Sequence, residues 1–182
     1  MIRASSGKTA AGRLLMGVGA LALLIPAIAG CEAGNDAPTL QFHSASAGAH
    51  TIFNDITITN MFVLGAPSGS TVPAGSSASL FVALYNGSNS SDKLVSVSAP
   101  GRAGSVTLSG GTVALPTNSS VNLTGPKPEV VLDNLSKPLT GGSTIPVTLT
   151  FQHAGQITLQ VPVEAQSFYF STYSAPAPTP TK

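Results

Sequence analysis

Residues Ile145–Val163 read Ile145-Pro-Val-Thr-Leu-Thr-Phe151, then Gln152-His-Ala-Gly155-Gln156, then Ile157-Thr-Leu-Gln-Val-Pro-Val163. Apolar and polar side chains alternate on both sides of a short segment that contains a glycine. A period of two puts Ile145, Val147, Leu149 and Phe151 on one face of a strand. The same period puts Ile157, Leu159, Val161 and Val163 on one face of its partner. Gly155 is free to take the positive φ that a short hairpin loop needs. A single two-stranded hairpin is marginal in water, because one apolar face does not offset the ordering of two strands. The remainder of the chain must supply a second apolar layer.

The first 30 residues are not part of that layer. Arg3, Lys8 and Arg13 precede an uncharged apolar run from Leu14 to Ala29, which is too short and too rich in Gly and Ala for a good membrane span. It ends in Ile28-Ala29-Gly30-Cys31, which resembles the lipobox of bacterial lipoproteins. The resemblance implies that the thiol of Cys31 is diacylated and that cleavage makes Cys31 the N-terminus. An ordinary signal peptide followed by an incidental cysteine is the alternative. Cys31 is the one cysteine of the chain, so the mature protein has no intramolecular disulfide and no thiolate metal cluster. About 150 residues follow, enough for one domain with a proper core. They carry Arg102 and four lysines against seven acids, a net charge of −2. With no basic stripe interleaved with aromatics, nucleic acid is not an expected partner. Attachment to the membrane would come through lipid rather than through a polybasic patch.

Residues 31–47 read as a lipidated cysteine and a tether, small, polar and aperiodic. A domain over residues 48–170 then runs through short apolar segments separated by turn chemistry. Ile52–Leu64 is one strand with a bulge near Asn60, where the alternation slips. Leu80–Tyr85 is apolar on both faces, as a central strand is. Short strands follow around Leu94–Val97, Val106–Leu108, Val113–Leu115, Val121–Leu123 and Val130–Leu132, ahead of the hairpin. Eight or nine strands without helical periodicity predict an all-β, antiparallel β-sandwich. Residues 171–182 read as a Pro/Thr-rich extended tail with nothing to bury.

From Phe81 to Val163 the order of features resembles the periplasmic copper chaperone family PCu(A)C. The matching pieces are Leu84-Tyr-Asn-Gly87, Asp92-Lys-Leu-Val-Ser-Val-Ser98 and Val106-Thr-Leu108. They continue with Leu115-Pro116, Val121-Asn-Leu123, Leu135-Ser-Lys-Pro-Leu139 and Pro146-Val-Thr-Leu-Thr-Phe151. With the lipobox and tether, the chain is similar to the actinobacterial, LpqE-like lipoproteins of that family. The resemblance implies a Greek-key, cupredoxin-like sandwich. It also implies a Cu(I) site of two Met and two His, soft thioethers and imidazoles suited to that ion. Here the first His position is Ser109, and the loop that carries the first Met is reduced to Gly110-Gly111-Thr112. The final His-x-Met falls on Glu129-Val130-Val131. The expectation is therefore no metal at the inherited site and no cofactor. Ser109–Thr112 and Glu129–Val131 become a candidate interaction edge for another cell-envelope protein or ligand.

The remaining metal candidates are His43, His50, His153, Met61, Asp55 and Glu129, each with an ordinary surface or core role as its competitor. A copper-handling protein with a site rebuilt from these residues is the alternative reading, and a purely structural envelope spacer is a third. Serines sit in turns with Gly, Asn and Pro, and no nucleophile elbow is followed by a suited acid and base, so no enzyme is expected. Arg102 reads as a solvated turn residue. Asp92 reads as a cap of its own Asn86–Asp92 turn.

Overall fold

The computed structural model describes residues 48–176 apart from residue 126. Cys31, His43, the tether and residues 177–182 lie outside the described residues. The hairpin occupies the middle of a ten-stranded sheet. Its strands are β11 (Thr144–Phe151) and β12 (Gln156–Glu164), paired antiparallel with Val147 opposite Leu159 and Leu149 opposite Ile157. The Phe151 N–H donates to the Gly155 carbonyl at 2.7 Å, and Gly155 takes φ +92°, as the loop requires.

β11 continues into β5 (Asp92–Ser98) and then β7 (Val113–Leu115). On the other side β12 meets β2 (Ile56–Leu64), followed by β4 (Ala78–Asn86), β9 (Val130–Leu135) and β6 (Ala103–Leu108). β1 (Ala49–Phe53) is added to β2, and β8 (Ser119–Leu123) to β4. β3 (Thr71–Val72) and β10 (Leu139–Thr140) make a separate two-stranded ribbon.

The all-β expectation holds, with one change of direction. β12 and β2 run parallel, through Val163 beside Val63 and Glu164 beside Leu64. Alternation reports which face a residue takes and is blind to strand direction. The paired residues are 100 apart in sequence, so the intervening chain sets the sense of the two strands.

The sheet curls around one core. All four inward residues of β11 are buried, as are Val161 and Val163 of β12, with Ile157 and Leu159 half-buried at its rim. They meet Ile56 and Ile58 of β2, Leu80, Val82 and Leu84 of β4, and Leu94 and Val97 of β5.

The run from Ile52 to Leu64 is not one strand. Asn54 and Asp55 both take positive φ, +45° and +65°, and turn β1 back onto β2. This is the backbone of a tight two-residue hairpin, and Asn-Asp tolerates it without glycine. The expected bulge is present: Asn60 sits at φ +51°, where the β2–β4 register shifts between Thr59 and Phe62.

The bulge has a consequence on the far side of the sheet. Phe62, Leu64 and Phe81 are buried in a second cluster, closed by Phe170 and Tyr173. Phe62 packs on Phe81 with ring centroids 5.2 Å apart, and Tyr173 meets both rings edge-on at 5.2 and 4.8 Å. Phe170 and Tyr173 come from a 3₁₀ turn, Phe168–Thr172, and the residue after it. The packed chain thus continues past residue 170, which corrects the start of the tail. Residues 171–176 carry no period, but Tyr173 has a buried partner surface, and the Ser79 hydroxyl donates to the Ser174 carbonyl at 3.0 Å.

Candidate functional site

β6 and β9 build one end of the sheet. Leu108 pairs with Val130, Thr107 with Val131 and Ser105 with Asp133. β6 leaves the sheet in a tight turn. Gly110 and Gly111 take φ +76° and +77°, and the Gly111 N–H donates to the Leu108 carbonyl at 2.9 Å. Glycine adopts two such values in succession at no steric cost, which most residues with a Cβ do not. The Ser109 N–H donates to the Glu129 carbonyl at 2.7 Å. Positions 20 residues apart in sequence are therefore in contact, and the two halves of the expected edge form one edge.

Ser109, Gly110, Gly111 and Thr112 are exposed, and Glu129 and Val131 are half-buried. Val130 is a correction: it is 0% exposed and belongs to the core. Neighbours on a strand point to opposite faces, so Val130 and Val131 cannot both reach the surface.

Val131 faces a groove of about 570 Å³. Thr107, Lys127, Pro128, Asp133 and Ser174–Pro176 line it as well. Asp133 is held at both oxygens. Its Oδ1 accepts from the Ser77 hydroxyl at 2.9 Å and its Oδ2 from the Thr107 hydroxyl at 2.7 Å. Sequence reasoning did not find this groove. The alternation of Val131 with Leu132 places Val131 and Asp133 on the outer face, but nothing local brings Ser174–Pro176 over them.

The other metal candidates are scattered. His50 is exposed on β1, Asp55 is exposed in the β1–β2 turn, and Met61 is 0% exposed in the inner core. Met61 is a packing residue. Among the described residues no three of His, Cys, Asp and Glu gather where they could hold one ion.

His153 and Asp92 do meet, with Nδ1 3.4 Å from Oδ1, in the hairpin loop. Asp92 is 6% exposed and accepts from the N–H groups of Lys93 at 2.7 Å, His153 at 2.9 Å and Ala154 at 2.8 Å. Burial pushes its carboxyl up, but these three donors and the nearby His153 outweigh it and hold the pKa below the usual carboxylate value. Asp92 therefore fastens the hairpin loop to β5 rather than capping its own turn. That turn is closed by Asn86, whose Nδ2 donates to the Ser90 and Leu115 carbonyls at 2.8 and 3.0 Å. Asn86 Oδ1 accepts from the Ser88 N–H and hydroxyl at 3.0 and 2.7 Å.

Residues 56–163 match the family model described as LpqE-like. The chain is 30% identical over 162 residues to the lipoprotein LpqE of Mycobacterium leprae, covering 81% of this chain and 87% of that protein. It is 27% identical over the same length and shares to LpqE of Mycobacterium tuberculosis. Among solved structures, a copper-bound PCuAC domain from PmoF2 superimposes with TM-score 0.54 at 24% identity, over 64% of this chain and 98% of that one. An apo PCuAC domain from PmoF1 does so with TM-score 0.56 at 22% identity, over 64% and 99%. At these identities the structural likeness speaks for the fold.

Proposed function

The chain belongs to the LpqE-like lipoprotein family, anchored by lipid in the cell envelope, and from there we propose that it is a non-catalytic binding module tethered through Cys31. Its PCuAC-like domain presents the β6–β9 edge, Ser109–Thr112 with Glu129 and Val131, and the adjoining groove to another envelope protein or ligand.

One observation carries the reading: the contact between Ser109 and Glu129. That contact brings together two stretches on which, by resemblance, the family's ligand positions fall, and the side chains there are a hydroxyl at Ser109, a carboxylate at Glu129 and an isopropyl group at Val131. Neither thioether nor imidazole is among them, and Cu(I) is a soft ion that these oxygens suit poorly. The groove beside Val131 offers apolar wall, a hydrogen-bonded carboxylate and a lysine. A ligand pocket has this mixture of apolar lining and a few placed polar groups.

Two measurements on the full lipidated chain test it. In a Cu(I) titration against a colorimetric chelator, the protein is expected to take no copper from a micromolar competitor. Tight one-to-one binding, weakened by His50→Ala or His153→Ala, would instead establish copper handling through a rebuilt site. A photo-crosslinking residue at Thr112 should capture a defined envelope component that the same residue at Gln160, on the exposed side of β12, does not. Equal capture at both positions would remove the β6–β9 edge from the proposal.

A further inference from the structure

Phe168 and Tyr169 are 94% and 76% exposed. They stand on a 3₁₀ turn whose next residues, Phe170 and Tyr173, are anchored in the outer aromatic cluster, and Tyr169 meets Phe170 edge-on at 5.5 Å. Phe168 takes φ +49°, a region that an aromatic residue rarely occupies. Local bonds hold it there: the Phe170 N–H donates to the Ser167 carbonyl at 3.0 Å, and the Ser171 hydroxyl to the Phe168 carbonyl at 2.7 Å. The Gln166 side chain ties the turn to the Tyr173 carbonyl at 2.9 Å. Two rings are thus held in water on a braced platform.

The surrounding sequence fits one kind of surface. Between Glu164 and Lys182 there is no charged residue. A net charge of −2 on the mature chain makes attraction to acidic headgroups a poor basis for contact. Phe and Tyr at an uncharged tip instead suit the headgroup–acyl boundary of a bilayer, where the rings leave water and the phenol stays wet.

The described chain enters at Gly48, packed against the backbone of Asn60 and Met61. The next residue of β2, Phe62, lies under Phe170 and Tyr173. The entry point therefore adjoins Asn60 and Met61, and the residues that anchor the aromatic tip adjoin Phe62, the next residue of the same strand. The 17 residues from 31 to 47 can span at most about 60 Å.

We propose that Phe168 and Tyr169 form a second, non-covalent membrane contact that inserts into the bilayer interface and orients the lipid-anchored domain. This rests on anchoring through Cys31. Two rings alone give weak binding, so the contact works as an orienting one, with the lipid supplying the local concentration.

The test uses the full lipidated chain in phosphatidylcholine vesicles. The protein has no tryptophan, so Phe168→Trp supplies a unique probe, with Tyr85→Trp on the outer face of β4 as the control. The Phe168→Trp emission is expected to be blue-shifted and quenched at least twofold more by brominated phosphatidylcholine than the control. Adding Tyr169→Ser to the Phe168→Trp chain should reduce that quenching. A chain that floats with the vesicles but gives equal, weak quenching at both positions overturns the contact and leaves the tip facing water. A chain that does not float, and whose mass shows no lipid on Cys31, overturns the anchor and this inference with it.

Discussion

The hairpin and the C-terminal segment close the two faces of the same sheet by opposite means. The hairpin supplies apolar side chains at every second residue, and strand geometry sends six of them into the inner core, with Ile157 and Leu159 at its rim. The C-terminal segment has no period and supplies two aromatics, Phe170 and Tyr173, to rings already waiting on β2 and β4. The first is a repeated pattern held by many contacts. The second is a clasp made of a few large groups.

The comparison breaks most visibly in the core. Leu149→Ala removes a fully buried side chain at the centre of the hairpin and is expected to cost about 2–5 kcal/mol. Urea unfolding should show the loss as a lower midpoint of one cooperative transition. A loss below about 1 kcal/mol would mean that the hairpin is peripheral.

Asp92→Asn comes next. Its new amide would face the Ala154 N–H with a donor, at an expected cost of about 1–3 kcal/mol. The sign of the pH effect follows from the depressed carboxyl. The native pKa lies below the unfolded value, so the contribution is fully present above about pH 4 and is lost as pH falls through the native value. Between about pH 5 and 2 the unsubstituted protein should lose stability more steeply than the D92N variant does. Parallel pH profiles would remove Asp92 from the link between β5 and the loop.

Tyr173→Ala has the smallest effect, about 1–2 kcal/mol, because the ring is only partly buried. Its signature should be local. Hydrogen exchange is expected to accelerate at the Phe170 and Tyr173 amides while the β11–β12 amides keep their protection. Acceleration throughout the sheet would mean that the clasp and the sheet are one cooperative unit.

What could be read before folding follows the same divide. The hairpin, its Gly155 loop, the two-faced character of β4 and the bulge at Asn60 were legible, since each is a local departure from or adherence to a period of two. The Asn54–Asp55 turn was missed because Asn-Asp carries no glycine and is flanked directly by Ile52-Phe53 and the Ile56-Thr-Ile-Thr59 alternation. Asp92 was assigned to the wrong loop because its donors at His153 and Ala154 lie about 60 residues away. At the candidate site, resemblance pointed to Ser109 and Glu129, whereas the burial of Val130 and the groove over Val131 had no local signal.

The sequence by itself determined an all-β domain organised around Ile145–Val163, because alternation is a property of neighbouring residues and needs no partner to be seen. Only the tertiary structure decided that β12 joins β2 in parallel, that Ser109 touches Glu129, and that Phe170 and Tyr173 fold back over Phe62 and Phe81. Those are contacts between segments 20 to about 110 residues apart. Their energy depends on surfaces that exist only once the chain has closed around its core.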